Sequence, residues 1–142
     1  MQGKHRRAVR GMTLIEILVV LVLIGIVMGI VGGNFIGRGE EAKRKAAKIE
    51  IEQIGQTLDL YKLEVGRYPT TQEGLQALIQ APSSASNWNG PYWKRSSVPK
   101  DPWGNEYKYS SPGQSGPYDI VSYGADGKEG GEGPNKDITS SQ

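Results

Sequence analysis

The apolar run from Met12 to Val31 constrains the fold of this chain more than any other feature. It contains twenty residues and a single charged one, Glu16. A helix needs roughly 20 apolar residues to cross the hydrocarbon core of a bilayer. The run therefore predicts a transmembrane helix that carries one carboxylate inside the membrane. An uncleaved signal anchor is the simpler interpretation of the same run.

The residues ahead of the apolar run are basic, at Lys4, His5, Arg6, Arg7 and Arg10. Positive flanks stay in the cytoplasm, so we expect the N-terminus inside and the bulk of the chain outside. A secretory signal peptide carries its small cleavage residues after the apolar core. Here Gly11 precedes the core, and cleavage there would leave the apolar helix on the mature protein.

The charge balance fits a removable leader. The whole chain has 17 basic and 15 acidic residues, a net charge of +2. Without residues 1–11 the count becomes 13 against 15, or −2. The basic character therefore belongs to the leader and gives no reason to expect a nucleic-acid partner. The only histidine, His5, also lies there, so a processed chain could not use histidine in acid–base catalysis. The chain has no cysteine, so no disulfide can stabilise an exported domain.

Helical periodicity continues beyond the apolar run. Apolar residues recur at spacings of three and four and define one stripe on a helix, formed by Ala47, Ile51, Ile54, Leu58, Tyr61 and Val65. We expect this stripe to pack on a domain core, and a coiled-coil dimer is the alternative. Together with the apolar run it predicts one helix of roughly 50 residues, far longer than the globular average, ending near Gly66.

The remainder of the chain predicts short elements packed on this helix. Thr70 or Thr71 can cap a second helix over Gln72–Ala81, and aromatic residues of the following loop, Trp88, Tyr92 and Trp93, should lie against the long helix. Alternation predicts strands at Glu106–Ser110 and Tyr118–Gly124, joined as a hairpin. A third short strand is expected at Trp93–Ser97, and the chain from Ala125 onward reads as loop and tail. Trp103 and Tyr107 are expected in the core.

Several motifs resemble one known family. "GMTLIEI" (Gly11–Ile17) before an apolar run resembles the type IV prepilin signature. "YKLEVGRYPTTQEGLQAL" (Tyr61–Leu78), "DPWGNEY" (Asp101–Tyr107) and "DIVSYGADGKEGGEG" (Asp119–Gly133) resemble the major pseudopilins of bacterial type II secretion systems. The resemblance covers nearly the whole chain after Gly11 and separates this chain from the wider type IV pilin-like superfamily.

The resemblance implies an α+β, type IV pilin-like fold, in which a long N-terminal helix packs on a small C-terminal antiparallel sheet. Its expected divisions are a cleaved leader over 1–11, a transmembrane and assembly helix over 12–36, and a periplasmic globular domain over 37–142. Within that domain we expect an amphipathic helix over 37–66, a short helix and variable loop over 67–105, and the sheet and a calcium loop over 106–142.

The resemblance also assigns roles at the N-terminus. A prepilin peptidase would cut after Gly11 and methylate the new amine of Met12. Glu16 would then pair with the Met12 amine of a neighbouring subunit during assembly. A contact within one subunit is the other interpretation, because positions four apart share a helix face.

An acidic, glycine-rich stretch, "GADGKEGGEGPNKDI" (Gly124–Ile138), suggests a cation site. Calcium takes 6–8 oxygen ligands on flexible backbone, although the EF-hand pattern fails here and the composition alone favours a solvated acidic turn. The resemblance implies one calcium ion per subunit. Its ligands would be Asp126, Asp137 and Asn135, together with the backbone carbonyls of Tyr123 and Lys128. Lys128 and Lys136 should weaken the site.

The resemblance implies a structural subunit without catalytic activity. It would be anchored in the inner membrane by a single span and would polymerise with copies of itself into a periplasmic pseudopilus that exports folded proteins. Expected partners are minor pseudopilins, the prepilin peptidase, and an inner-membrane platform with its cytoplasmic ATPase. The alternatives are a type IV pilin or competence pseudopilin for motility, adhesion or DNA uptake, and an anchored calcium-binding domain that never polymerises.

Overall fold

The computed structural model describes residues 11–142, apart from the side chains of 34–36. The predicted basic leader, with Lys4, His5, Arg6, Arg7 and Arg10, lies outside the described residues. The chain forms two compact units, one up to Arg38 and one from Gly39 to Gln142.

The long helix predicted from the sequence is present. Helix α1 runs from Leu14 to Val65 and contains 52 residues. In the first unit its apolar side chains are exposed from Leu14 to Val31. This segment is long and apolar enough to cross a membrane, and none of it is buried within the chain. Such a surface supports membrane anchoring.

In the second unit α1 buries the stripe predicted from the sequence. Ala47, Ile51, Ile54, Leu58 and Tyr61 are all buried, and Val65 packs against them. The helix ends where expected, since Gly66 follows with a φ of 89° and its N–H donates to the Lys62 carbonyl at 2.8 Å. Glycine reaches this left-handed conformation without steric cost, which is why it commonly follows a helix.

The sheet is antiparallel and has three strands in the order β1-β2-β3: β1 is Lys108–Ser110, β2 is Asp119–Ser122 and β3 is Ile138–Thr139. Tyr109 pairs with Ile120 and Ser122 pairs with Ile138. The predicted α+β fold and its hairpin are thus confirmed.

The prediction of the third strand was wrong. Residues 93–97 form bends, and β3 lies in the tail that was expected to be irregular. Ile138 explains this result, because its side chain is buried in the core beside Ile120, whereas Lys94 and Arg95 are exposed. A strand of two residues is too short to show alternation, so periodicity could not reveal it.

The predicted second helix is shorter than expected. Only Leu75–Leu78 is helical, as a 3₁₀ helix. Gly74, at a φ of 61°, separates it from the preceding turn. That turn is closed reciprocally: Thr70 N–H donates to the Glu73 carboxylate at 2.7 Å, and Glu73 N–H donates to the Thr70 hydroxyl at 3.2 Å. Thr70 therefore caps this turn as predicted, but the helix does not continue over Gln72–Ala81.

Aromatic side chains contact α1 from the loop and from the residue before β1, and the contact predicted for Tyr92 is confirmed. The ring of Tyr92 meets that of Tyr61 edge-on at 5.4 Å, and its hydroxyl donates to Glu64 at 2.7 Å. Tyr107 is buried in the core and its hydroxyl donates to Glu50 at 2.6 Å. Burial and this carboxylate together raise the pKa of Tyr107 far above its usual value. Trp103 is partly buried and packs against the same core.

Candidate assembly and calcium sites

The predicted cleavage position lies in accessible backbone. Gly11, Met12 and Thr13 precede α1 and belong to no regular element. Met12 is 74% exposed, and a Cβ atom placed on Gly11 would meet nothing within 4 Å. Exposed backbone outside helices and strands is where proteases cut most readily. The geometry is therefore compatible with processing between Gly11 and Met12, which stays a prediction.

Glu16 caps the start of α1 together with Thr13. Thr13 N–H donates to the Glu16 carboxylate at 2.8 Å, and Glu16 N–H approaches the Thr13 hydroxyl at 3.4 Å. This reciprocal pair is a capping box, in which two helix N–H groups without intrahelical partners are satisfied. Sequence reasoning overlooked Thr13, although the spacing of threonine and glutamate three residues apart is the signal for such a box.

The capping box places the carboxylate of Glu16 at the N-terminal end of α1. Backbone N–H groups make this end of a helix partly positive, so a negative charge is stabilised there. The carboxylate consequently lies within one helical turn of Met12, the residue whose amine cleavage would release. The arrangement brings the two groups expected to act in assembly close together within one chain, and their pairing between subunits stays a prediction.

The loop between β2 and β3 folds back on itself. Ala125 N–H donates to the Pro134 carbonyl at 3.1 Å. Gly124, at a φ of 69°, lies so close to the 3₁₀ helix Gly133–Asn135 that an added Cβ would be 2.8 Å from the same carbonyl oxygen. Glycine is therefore required at this position both by conformation and by space. The two ends of the predicted calcium loop are joined as a result.

Asp137 is the predicted ligand that the structure singles out most clearly. Its Oδ2 accepts the Gly130 N–H at 2.9 Å. Its Oδ1 is buried and has no hydrogen-bond partner within the described residues. A buried carboxylate oxygen without a partner is costly, because its desolvation is not compensated. A bound cation would satisfy this oxygen.

The other predicted ligands are exposed or half-buried around this loop. Asp126 Oδ1 accepts the Lys128 N–H at 3.1 Å. Asn135 is exposed and Tyr123 is half-buried. Within residues 11–142, no group of three or more histidine, cysteine, aspartate or glutamate side chains is clustered to hold a metal ion. A calcium site would therefore depend on Asp126, Asp137, an amide oxygen and backbone carbonyls, and this donor chemistry fits calcium.

One further contact holds the loop against the helix. The guanidinium of Arg44, on α1, donates to the Lys136 carbonyl at 2.5 Å. This contact could not be predicted from local sequence, because the two residues are 92 positions apart. The contact positions the residue immediately before Asp137.

Two segments of the chain match known protein families. Residues 34–141 match the family described as "Type II secretion system (T2SS), protein G". Residues 6–32 match the "Prokaryotic N-terminal methylation motif". Between them these matches cover the apolar segment and all but the last residue of the second unit.

Individual relatives agree with this result. The chain is 46% identical to "Type II secretion system core protein G" of Pseudomonas aeruginosa, over 94% of this chain and 96% of the relative. It is 45% identical to the protein of the same name in Vibrio cholerae, over 95% and 93%. A solved structure, the major pseudopilin from the type 2 secretion system of enterohaemorrhagic Escherichia coli, is 36% identical and superposes with a TM-score of 0.65, over 75% of this chain and 93% of that one.

The fold and the N-terminal segment together define a pilin-like chain, as the sequence resemblance predicted. The chain belongs to the protein G family of type II secretion systems.

Proposed function

We propose that this protein is the major structural subunit of a type II secretion pseudopilus. The observation that carries the proposal is the division of α1: an apolar segment that is not buried within the chain, joined to a second unit with its own packed core. An apolar surface of this length needs either lipid or other apolar helices around it. A subunit that moves from a membrane into a fibre meets both conditions in turn.

Glu16 would give this transfer its specificity. A carboxylate inside the bilayer costs roughly 3 kcal/mol on insertion scales, so it is retained where a partner compensates for it. Cleavage after Gly11 would create a cationic amine at Met12, and methylation would leave it cationic. The carboxylate already lies at the N-terminal end of α1 through its contact with Thr13. In the fibre it would pair with the Met12 amine of a neighbouring subunit.

Calcium would stabilise the second unit. The proposed ligands are Asp126, Asp137, Asn135 and the carbonyls of Tyr123 and Lys128, with one ion per subunit. The buried and unpaired Oδ1 of Asp137 supports this proposal. When bound, the ion would join the two ends of the loop, a role that disulfides fill in many small exported domains.

The membrane topology and the partners that we propose are those implied by the family. The N-terminus would be cytoplasmic and the second unit periplasmic, in a single-pass arrangement before assembly. The subunit would act with minor pseudopilins, a prepilin peptidase, and an inner-membrane platform driven by a cytoplasmic ATPase. Its role would be structural rather than enzymatic. The similarity of residues 34–141 to protein G favours this function over a pilin for motility, adhesion or DNA uptake.

The proposal is tested by deleting the gene and measuring exoprotein activity in the medium and the periplasm. We expect exoproteins to accumulate in the periplasm, and the wild-type gene to restore their export. Glu16→Ala should fail to restore export, whereas Glu52→Ala should succeed because Glu52 is an exposed carboxylate of the second unit. Normal secretion combined with lost twitching, adhesion or DNA uptake would assign the protein to the pilin branch instead.

A further inference from the structure

The turn over residues 101–105 closes around one buried carboxylate, that of Asp101. Asp101 N–H donates to the Asn105 carbonyl at 2.8 Å, and Gly104 N–H donates to the Asp101 carbonyl at 2.9 Å. The Oδ1 atom of Asp101 accepts two further backbone bonds, from Trp103 N–H at 3.1 Å and from Asn105 N–H at 2.8 Å. These bonds fix the turn and use only one of the two carboxylate oxygens.

The other carboxylate oxygen bonds to Ser122, the last residue of β2. The Ser122 hydroxyl donates to Asp101 Oδ2 at 2.7 Å. Ser122 is completely buried and Asp101 is 4% exposed. Burial of an ionised carboxylate is costly unless hydrogen bonds compensate for it. The three bonds that Asp101 accepts provide this compensation, and they tie the turn to the end of β2.

The Ser122 hydroxyl oxygen also acts as an acceptor at the start of the proposed calcium loop. It accepts the Gly124 N–H at 3.3 Å. This N–H belongs to the peptide group whose carbonyl is that of Tyr123, one of the proposed calcium ligands. A trans peptide group is planar, and its N–H and C=O bonds point in opposite directions. Holding the Gly124 N–H therefore also fixes the direction of the Tyr123 carbonyl.

The same turn contacts the loop a second time, beside another proposed ligand. Gly127 follows Asp126 and has a φ of 66°. A Cβ atom added to Gly127 would lie 3.1 Å from the side-chain Nδ2 of Asn105. The backbone of Asn105 is itself bonded to Asp101. The turn thus supports the loop next to Tyr123 and next to Asp126.

We propose that Asp101 and Ser122 are positioning residues of the calcium site. Asp101 orients the Ser122 hydroxyl, and Ser122 orients the Tyr123 carbonyl towards the ion. Neither residue is among the proposed ligands. Groups that hydrogen-bond to metal ligands fix their orientation, and losing such a group commonly weakens metal binding about tenfold or more. The inference rests on the calcium site of the proposed function and explains what prearranges a ligand in a loop rich in glycine.

Calcium titration of variants in the full-length protein, dispersed in detergent, tests the proposal. Isothermal titration calorimetry gives the dissociation constant for calcium, at a temperature where near-UV circular dichroism shows each calcium-free variant to be folded. Ser122→Ala should raise this constant about tenfold or more. Asp101→Asn should also raise it, because an amide nitrogen cannot accept the hydroxyl bond that the second carboxylate oxygen accepts.

The matched control is Tyr109→Phe, which also removes one hydroxyl from the second unit. The Tyr109 hydroxyl donates to the Pro69 carbonyl at 2.8 Å, outside the loop. Tyr109→Phe should lower the melting temperature of the calcium-free protein and leave the dissociation constant for calcium unchanged. A purely structural role of Ser122 would give Ser122→Ala this same behaviour.

A wild-type dissociation constant in folded Ser122→Ala would overturn the proposal. If Ser122→Ala does not fold without calcium, Asp101→Asn decides by the same criterion. Calcium binding by the wild type is scored separately. Its absence would refute the proposed calcium site together with this inference, whereas tight binding that neither substitution weakens would refute this inference alone.

Discussion

The apolar residues of helix α1 have different environments in its two halves. Between Leu14 and Val31 apolar residues surround the helix and stay exposed in the single chain. Between Ala47 and Val65 one stripe is buried by the domain, and charges occupy much of the remaining surface. A helix that is apolar on all sides requires an apolar environment, whereas an amphipathic one requires a single packed face.

Because of this difference, one half of the helix should determine the stability of the domain and the other half its membrane insertion and assembly. The second unit supplies its own core, so its folding free energy should depend on the residues it buries. The first unit buries nothing within the chain, so changes there should affect insertion and assembly without unfolding the domain. Substitutions of the same type in the two halves should therefore have different consequences.

The largest expected effect on stability comes from the core of the second unit. Leu58 is completely buried, and Leu58→Ala should lower the free energy of unfolding by about 3–5 kcal/mol through lost burial and a residual cavity. Leu21→Ala makes the same change in the exposed apolar half and should leave it unaltered. Thermal unfolding of the full-length protein in detergent, followed by near-UV circular dichroism, measures both. Equal losses for the two variants would show that the halves do not differ as described.

The same contrast explains how much could be predicted from the sequence. The apolar run and the stripe from Ala47 to Val65 repeat over many residues, and periodicity of that length identifies a helix and its buried face. The end at Gly66 followed from the conformational freedom of glycine. β3 was not predicted because it contains only two residues. The length of the second helix was overestimated because the hydrophobic pattern does not reveal the left-handed conformation of Gly74.

For the candidate sites, the sequence predicted the functional residues but not the contacts that position them. The family motif identified Gly11, Met12 and Glu16, but the capping role of Thr13 was overlooked although its spacing was visible. In the loop, the acidic residues could be selected by type. The closure of the loop between Ala125 and Pro134, and the Arg44 contact to Lys136, depend on tertiary packing across distant parts of the chain and leave no local signal.

The next effect on stability comes from the ion pair between Glu73 and Arg67 in the second unit. The Glu73 carboxylate accepts two bonds from the Arg67 guanidinium, at 2.7 and 2.8 Å, and others from Thr70 N–H and the Ser84 hydroxyl. Chiefly through Arg67, these contacts lower the pKa of Glu73 from 4.5 to about 2. A depressed carboxyl pKa stabilises the fold above the unfolded-state value, and this contribution disappears as pH falls towards the folded-state value.

We therefore expect wild-type stability to fall between about pH 4.5 and pH 2, by up to about 2–3 kcal/mol from this group. Glu73→Gln should be less stable at neutral pH and lose less on acidification over the same range. Glu52→Gln, at an exposed position, should keep the wild-type profile. Denaturant unfolding across this pH range gives the comparison, and parallel curves for wild type and Glu73→Gln would show that the ion pair contributes no pH dependence.

Calcium should have an effect of similar size, confined to the second unit. A ligand at one hundred times its dissociation constant stabilises the folded state by about 2.7 kcal/mol, so saturating calcium should raise the melting temperature by several degrees. Asp126→Ala should reduce this rise, and Glu129→Ala, which removes the same charge from the same loop outside the predicted ligand set, should retain it. Differential scanning calorimetry with calcium or a chelator measures the shift. An unchanged shift in Asp126→Ala would remove this residue from the site.

The smallest expected effects come from glycine-to-alanine substitutions at the two ends of the amphipathic half of α1. The same substitution should stabilise the fold at one end and destabilise it at the other. Gly39 is helical, so Gly39→Ala should stabilise the fold by roughly 0.5–1 kcal/mol, because alanine loses less backbone entropy in a helix. Gly66 has a φ of 89°, so Gly66→Ala should destabilise it by about 1–2 kcal/mol. Chemical denaturation of the two variants resolves differences of this size. If Gly66→Ala also stabilised the protein, α1 would tolerate continuation past Val65. The left-handed turn that directs the chain back onto the buried stripe would then be dispensable.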